Sequence, residues 1–215
     1  MKVTIIGTGN VGKALGSSLA RAGHDITYVA QDEAKTRRVA DEIGGRATSD
    51  ASLAAADADV TVIAVPYAAA EDVARSIAGS VRGRVVIDAT NPLRPDYSGL
   101  ATAGGTSGAE RIAALLEGAR VVKAFNTLFA GNQADPAALG IRIDALFATD
   151  DDAAAAAVAE LAESIGLRPV RVGPLAAARE LEAMAWLNIR LQMLNGGSWQ
   201  TAYVLVAPPD AALAA

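Results

Sequence analysis

The chain has no cysteine and a single histidine, His24, among 215 residues. The first absence removes disulfides, thiolate nucleophiles and every cysteine-based metal site. The second leaves a Ser/His/Asp triad only His24 to build on and rules out a His-rich zinc site, so no metal is expected. Basic charge is also scarce: 19 Lys+Arg stand against 24 Asp+Glu, a formal charge of -5, and no basic run exceeds Lys35 to Arg38. A phosphate-backbone binder would carry a stronger positive footprint, so nucleic acid is not an expected partner. No uncharged apolar run is long enough to cross a bilayer, and the opening MKVTIIGTGN has neither a charged leader nor an export segment. The chain therefore reads as soluble and cytoplasmic, with no membrane partner. Aromatic residues make up only 4%, yet 52% of the chain is hydrophobic, enough to build the core of one compact domain.

Short apolar runs alternate with longer Ala-rich segments of helical period, the pattern of strands buried on both faces of a parallel sheet. Strands are expected at Lys2 to Ile6, Asp25 to Ala30, Arg46 to Thr48, Asp59 to Val65, Arg84 to Ala89, Arg120 to Phe125, Asp144 to Ala148 and Arg168 to Val172. Ser107 followed by Glu110 forms a capping box, and Asp150 to Asp152 place carboxylates at the start of a helix over Ala153 to Ile165. Gly173 and Pro174 open a last helix, roughly Leu175 to Asn195, with Leu181, Met184, Leu187, Leu191 and Leu194 on one stripe and Trp186, Ile189 and Met193 on another. A helix apolar nearly all round needs cover from its own chain or from a second copy, and a homodimer is expected. Beyond Gly196-Gly197, Thr201 to Val206 has strand character. The expected division is a dinucleotide-binding domain over 1–174 and a C-terminal helix and tail over 175–215.

Directly after the first strand comes Gly7-Thr8-Gly9-Asn10-Val11-Gly12, leading into a helix over Gly12 to Ala22. In a GxGxxG turn between strand and helix, the first glycine permits the tight bend, the second lets backbone approach a pyrophosphate, and the third lets helix and strand pack closely. The helix N-terminus then offers unpaired N–H groups to the anion. The fold expected is α/β, a Rossmann-type doubly wound, mainly parallel sheet with a C-terminal dimerisation helix.

Preference between NAD and NADP is set where the second strand ends, here Val29-Ala30-Gln31-Asp32. Asp32 falls one or two residues late for the ribose hydroxyls, and Lys35, Arg37 and Arg38 follow on the next helix, which tilts the reading toward NADP with NAD left open. Two other strand ends are shaped for a ligand, Ala64-Val65-Pro66-Tyr67 and Ala89-Thr90-Asn91-Pro92, each with its loop fixed by proline. Thr90 and Asn91 can line a site or bond their own turn. The connection between Asn91 and Ser107 is long, as lids and binding loops are.

The sixth strand ends in Lys123-Ala124-Phe125-Asn126-Thr127. Together with GTGNVG, VPY, ATNP and the segment Gly166-Leu167-Arg168-Pro169 to Gly173-Pro174-Leu175-Ala176, it resembles the F420H2:NADP oxidoreductase family, a group that includes the ferric-reductase domain of the STEAP metalloreductases. The resemblance runs from Met1 to about Asn195. It implies a dimeric Rossmann protein passing a hydride between NADP (or NAD) and the deazaflavin F420 or a flavin lying beside it. By position, it implies a pyrophosphate on Thr8 to Val11, a nicotinamide against Val65, Pro66 and Asn91, and an adenosine phosphate near Ala30, Gln31 and Lys35. Ala30-Gln31 replace the Ser-Arg pair of NADP-using relatives. Asn126 replaces a histidine of the archaeal F420 enzymes, and Tyr67 to Ala69 depart from their aromatic and histidine, so KAFNT places the chain nearer the STEAP-like bacterial branch.

Scarcity of His and Cys fits hydride transfer between two bound rings, where catalysis is positioning of carbons roughly 3 to 3.5 Å apart. Thr8, Asn126 and Thr127 would orient the rings. One rival is an NAD(P)-dependent reductase of a small metabolite or imine with Lys123 as general acid, though Lys123 could equally face solvent or pair with a carboxylate. Another is a non-catalytic NAD(P) sensor.

Overall fold

The computed structural model describes residues 1–102 and 105–206. All eight expected strands form, their ends shifted by at most two residues: β1 (Lys2–Ile6), β2 (Asp25–Val29), β3 (Arg46–Thr48), β4 (Val60–Ile63), β5 (Val85–Asp88), β6 (Arg120–Ala124), β7 (Asp144–Ala148) and β8 (Arg168–Gly173). They make one sheet in the order β3-β2-β1-β4-β5-β6-β7-β8. Every pair is parallel except β6 with β7. Successive strands turn away from each other between β1 and β4, which opens a crevice beyond their carboxyl ends.

Alternate strand residues feed two apolar layers. Val3, Ile5, Val60, Val62, Val85 and Ile87 face one side, where Leu15 and Leu19 of α1 (Asn10–Arg21), Val39 of α2 (Glu33–Ile43) and Val158 and Leu161 of α7 (Asp152–Ser164) cover them. Ile6, Ile63 and Val86 face the other, under α3 (Ala51–Asp57), α4 (Tyr67–Ile77) and α5 (Gly108–Leu115). With both faces covered, β4 and β5 are buried at every position, which is why their sequences are mostly apolar, with only Thr61 and Asp88 polar. A short α6 (Ala130–Ala134) packs on α1, where the Ser18 hydroxyl donates to the Gln133 carbonyl at 2.6 Å. β8 is an edge strand, where Pro169 removes no needed donor.

The C-terminal part departs from expectation. The last helix begins as a single 3-10 turn at Leu175–Ala177 and becomes α8 over Ala178–Asn195. The expected leucine stripe divides: Leu181 is buried with Ala185, Glu182, Asn188 and Gln192, while Leu187, Leu191, Met193 and Leu194 are exposed. Polar side chains face the protein because each finds a partner there: Glu182 the buried Lys123, and Asn188 and Gln192 the Thr201 hydroxyl. Thr201 to Val206 is not a strand. Side chains take several backbone groups here, the Asn132 amide holding the carbonyls of Gln200 and Thr201 at 3.0 Å each and the Asp144 carboxylate accepting Leu205 N–H at 2.7 Å, and the backbone bond from Asp144 N–H to the Tyr203 carbonyl at 3.3 Å is not continued into a ladder.

Candidate active site

The glycine turn after β1 is shaped by contacts that tolerate no side chain at two positions and by open space at the third. Gly7 has φ 119°, and a Cβ on it would lie 2.3 Å from the Ala64 carbonyl oxygen at the end of β4. A Cβ on Gly12 would lie 2.0 Å from the Gly7 carbonyl oxygen. A Cβ on Gly9 would meet nothing within 4 Å. Gly9 is also the N-cap of α1, with no side-chain cap and no acidic residue in the first turn. By contrast α2, α3, α5 and α7 are closed by Asp32, Asp50, Ser107 and Asp151, whose side chains accept first-turn N–H groups. Only α1 and α4, the helices that follow the two strands flanking the crevice, and the short α6 lack such a cap among the helices that directly follow a loop in the described residues. Free N–H groups and a bare backbone at α1 fit a diphosphate.

At the end of β2, Ala30 is half-buried and Gln31 and Lys35 are exposed. Asp32 accepts from Lys35 N–H at 2.9 Å, so its carboxylate serves the helix rather than a ribose. Replacing Asp32 with alanine should therefore lower stability by about 1 kcal/mol through the lost cap. The ratio of NADP to NAD affinity should stay within about twofold, as read by calorimetric titration with each nucleotide.

Lys123 sits fully buried in β6 and is held by three acceptors: Asp88 Oδ2 at 2.8 Å, the Thr90 carbonyl at 2.6 Å and Glu182 Oε1 at 3.1 Å. Asp88 in turn accepts Thr90 N–H at 2.9 Å, and Glu182 accepts Gly108 N–H at 3.0 Å and Ala109 N–H at 3.2 Å. Burial pushes the Glu182 carboxyl above its ordinary range, against the pull of Lys123. A second tie between α8 and α5 joins Arg179 to Glu110, whose carboxyl that guanidinium holds down at about 2. Of the alternatives open for Lys123, pairing with carboxylates is the one adopted. With its protons so engaged, it does not line the cleft and has no acid to offer there.

Beyond these strand ends lies a cleft of about 450 Å³. Asn10 and Val11 from the glycine turn, Asn91, the run Asn126 to Gly131, and Ala185, Asn188 and Ile189 of α8 line it, with Leu93, Tyr97 and Trp199. Asn91 and Asn126 lock each other: Asn126 Nδ2 donates to Asn91 Oδ1 and Asn91 Nδ2 to the Asn126 carbonyl, both at 3.0 Å. Asn126 Nδ2 also donates to the Leu181 carbonyl of α8 at 3.1 Å. This leaves Asn126 Oδ1, Thr127 Oγ1 and Thr90 Oγ1 buried with no partner. Orphaned acceptors and donors beside an apolar wall fit the amide-bearing edges of flat heterocycles.

Of the residues singled out in the sequence, Asn10, Val11, Asn91, Asn126 and Thr127 line this cleft. Thr8 and Thr90 are buried and do not line it. Ala64 is tied to β1 through its N–H to the Ile6 carbonyl at 2.8 Å, and Val65 and Pro66 carry the chain into α4. Tyr67 packs against Gly108, where a Cβ would lie 2.8 Å from its ring. Pro92 begins the long loop, its carbonyl accepting Ala101 N–H at 2.6 Å. His24 lies at the opposite, amino edge of the sheet, bonded to the terminal amine at 3.2 Å and to Ser164 at 2.9 Å, with its pKa lowered chiefly by burial. Local patterns do not expose Tyr97, Phe129, Asn188 or Trp199 as cleft residues. The one available signal is that nine aromatics (Phe 3, Tyr 4, Trp 2) are few enough for each to merit attention.

A second groove, about 480 Å³, lies toward the amino ends of β1 and β2. The exposed pairs Lys2–Asp57 and Arg46–Asp25 border it, and it holds none of the orphaned atoms.

Residues 2–92, the glycine turn and the first strand ends, match a family model described as NADP oxidoreductase coenzyme F420-dependent. The chain is 36% identical over 216 residues to the F420-dependent NADP reductase of Methanothermobacter thermautotrophicus, covering 91% of this chain and 90% of that one. It is 27% identical to the metalloreductase STEAP3 of Rattus norvegicus, covering 85% of this chain and 36% of that protein. Among solved structures, one from Arthrobacter sp. FB24, provisionally assigned as an F420-dependent NADP reductase, superposes with a TM-score of 0.83 at 28% identity, covering 91% of this chain and 95% of that one.

Proposed function

Because the chain belongs to the F420-dependent NADP reductase family, we propose that it transfers a hydride between NADP(H) and the deazaflavin F420 within the cleft beyond β1, β5 and β6. The observation that carries this reading is one continuous opening. The bare, uncapped start of α1 at Gly9 leads through Asn10 and Val11 into the same cleft as the unpartnered Asn126 Oδ1 beside Thr127. When bound, the pair NADP(H) and F420 supplies both hydride donor and hydride acceptor.

The protein's own part is to bind, orient and keep out water. Gly7 to Gly12 and the first N–H groups of α1 hold the diphosphate, with Ala30, Gln31 and Lys35 toward the adenosine phosphate and Val65, Pro66 and Asn91 toward the nicotinamide. Gly7, Gly9 and Gly12 keep that turn free of side chains, and Ala64, Tyr67, Thr90 and Pro92 shape the neighbouring strand ends. Asn126 offers an acceptor and Thr127 a hydroxyl to the rings, with the Thr8 hydroxyl a further orienting group from the glycine turn. Leu93 and Ile189 give the cleft apolar surface that excludes water, which strengthens each polar contact inside it. No residue here need form a covalent bond, consistent with a site without cysteine or histidine.

We also propose a homodimer. Leu187, Leu191, Met193 and Leu194 lie 45 to 70% exposed along α8, a row of apolar side chains that a second copy could cover. No helix of the described residues is long and apolar enough to cross a membrane. Diffusible, phosphate-bearing cofactors suit a cytoplasmic enzyme.

The test is turnover. Purified protein mixed with NADPH and F420 should consume both, followed by absorbance, with NADP favoured over NAD in separate titrations. Oxidation with FMN and none with F420 would replace the acceptor. Binding without oxidation of either would leave a nucleotide sensor.

A further inference from the structure

Three non-glycine residues among those described have a left-handed backbone, and all three are aromatic: Tyr97 (φ 54°), Phe125 (φ 63°) and Trp199 (φ 55°). That conformation is unfavourable for bulky side chains and persists only where the surroundings impose it. Tyr97 and Trp199 both line the 450 Å³ cleft, although they come from the long loop and from the tail. Phe125 is buried immediately before Asn126 and Thr127, which supply two of the orphaned atoms. Two strained positions from distant segments thus line one opening, and the third directly precedes the Asn126 and Thr127 that line it.

The tail is built to place Trp199. Gly196 ends α8 in a left-handed conformation, and the buried Gln192 then spans the turn. Its Oε1 accepts Trp199 N–H at 3.1 Å and its Nε2 donates to the Thr201 hydroxyl at 2.8 Å. The fully buried Asn132 holds the next two carbonyls from the other side. The indole packs edge-on to Phe129, ring centres 5.4 Å apart. Even so, Trp199 remains 47% exposed and Tyr97 54% exposed. Fixing two large rings on strained backbone whose N–H groups are bonded, while leaving half their surface bare, is the arrangement of a contact waiting for a flat apolar partner.

We propose that Trp199 and Tyr97 are the specificity-determining contacts for the second cofactor, a planar fused-ring heterocycle, with Gln192 acting on it only by positioning Trp199. This rests on the hydride-transfer reading above and assigns F420 recognition to the tail and the long loop, leaving the nucleotide to the glycine turn.

The chain has two tryptophans, so a Trp186→Phe variant leaves Trp199 as the only indole reporter. In that background F420 should quench the emission saturably, with a midpoint near its KM. Trp199→Ala and Tyr97→Ala should each raise the KM for F420 at least tenfold and leave NADPH affinity, measured by calorimetry, within twofold. Trp199→Phe and Tyr97→Phe should restore most of the loss. Wild-type turnover of F420 with no quenching of Trp199, or with an unchanged KM in Trp199→Ala, overturns the assignment and leaves the reductase reading standing. Equal losses for F420 and NADPH, unrescued by phenylalanine, overturn it too, since they mark collapse of the fold. Absence of both F420 turnover and quenching in the parent protein removes the two readings together.

Discussion

Replacing Lys123 with methionine should destabilise the protein by about 3–5 kcal/mol, because it strands Asp88 and Glu182 as buried carboxylates with no cation between them. Both carboxylates are at most 1% exposed, so water cannot take the place of the ammonium group. The loss should show as a lower urea midpoint with little change in the slope of the transition. It should also depend on pH in a definite direction. Burial already raises the Glu182 pKa in the folded state, and the group's contribution to stability is therefore greatest at low pH and is lost as pH rises through that raised value. Without Lys123 that pKa rises further, since the opposing pull has gone. The deficit of the methionine variant should accordingly shrink as pH falls toward the carboxylate range and widen in alkali. Adding Glu182→Gln should return part of the lost stability at neutral pH. A deficit that is flat with pH would show that lost packing, rather than stranded charge, is the cause.

Gly12→Ala and Gly9→Ala should fail in different ways. At position 12 the new methyl would sit 2.0 Å from the Gly7 carbonyl oxygen and 3.3 Å from Ile5 Cγ2, and the first of these is backbone that cannot rotate aside. The start of α1 must move away from β1, at a cost of about 1–3 kcal/mol or more in stability. The N–H groups that would hold a diphosphate go with it. Losing two charge-assisted hydrogen bonds of about 1.5–3 kcal/mol each weakens NADPH binding on the order of a hundredfold or more. At position 9 the methyl meets nothing within 4 Å, and the backbone, at φ -76°, suits any residue. That variant should melt within about 1 kcal/mol of the parent and still bind NADPH at least tenfold more weakly, because the methyl occupies the space the diphosphate would need. Thermal melts and calorimetry on the two variants separate architecture from ligand contact. Full NADPH affinity in Gly9→Ala would place the nucleotide elsewhere.

The difference between these two glycines is legible from the GxGxxG spacing, as are the eight strands, since each depends on residues close together in the chain. Val85 to Asp88 reads as a buried strand because Val85, Val86 and Ile87 run together, and Ser107 with Glu110 reads as a helix start because their reciprocal bonds span only three residues. Lys123 is half legible. A charge in the middle of a buried strand must be paired, yet its partners sit in β5 and α8, and no local pattern points to Glu182. The inverted face of α8 has the same origin: apolar periodicity puts the leucines inside, but Glu182, Asn188 and Gln192 are drawn in by partners contributed from distant segments. Strand propensity likewise favours a ladder over Thr201 to Val206, and amide side chains outcompete it.

The two halves of the cleft draw on different stretches of the polypeptide. The glycine turn, β4 and β5 come from the first hundred residues, whereas the Leu181 carbonyl that steadies Asn126, the Glu182 carboxylate and the Trp199 ring come from beyond Ala178. Translation therefore delivers every segment proposed to grip the dinucleotide before the helix and tail proposed to face the partner ring.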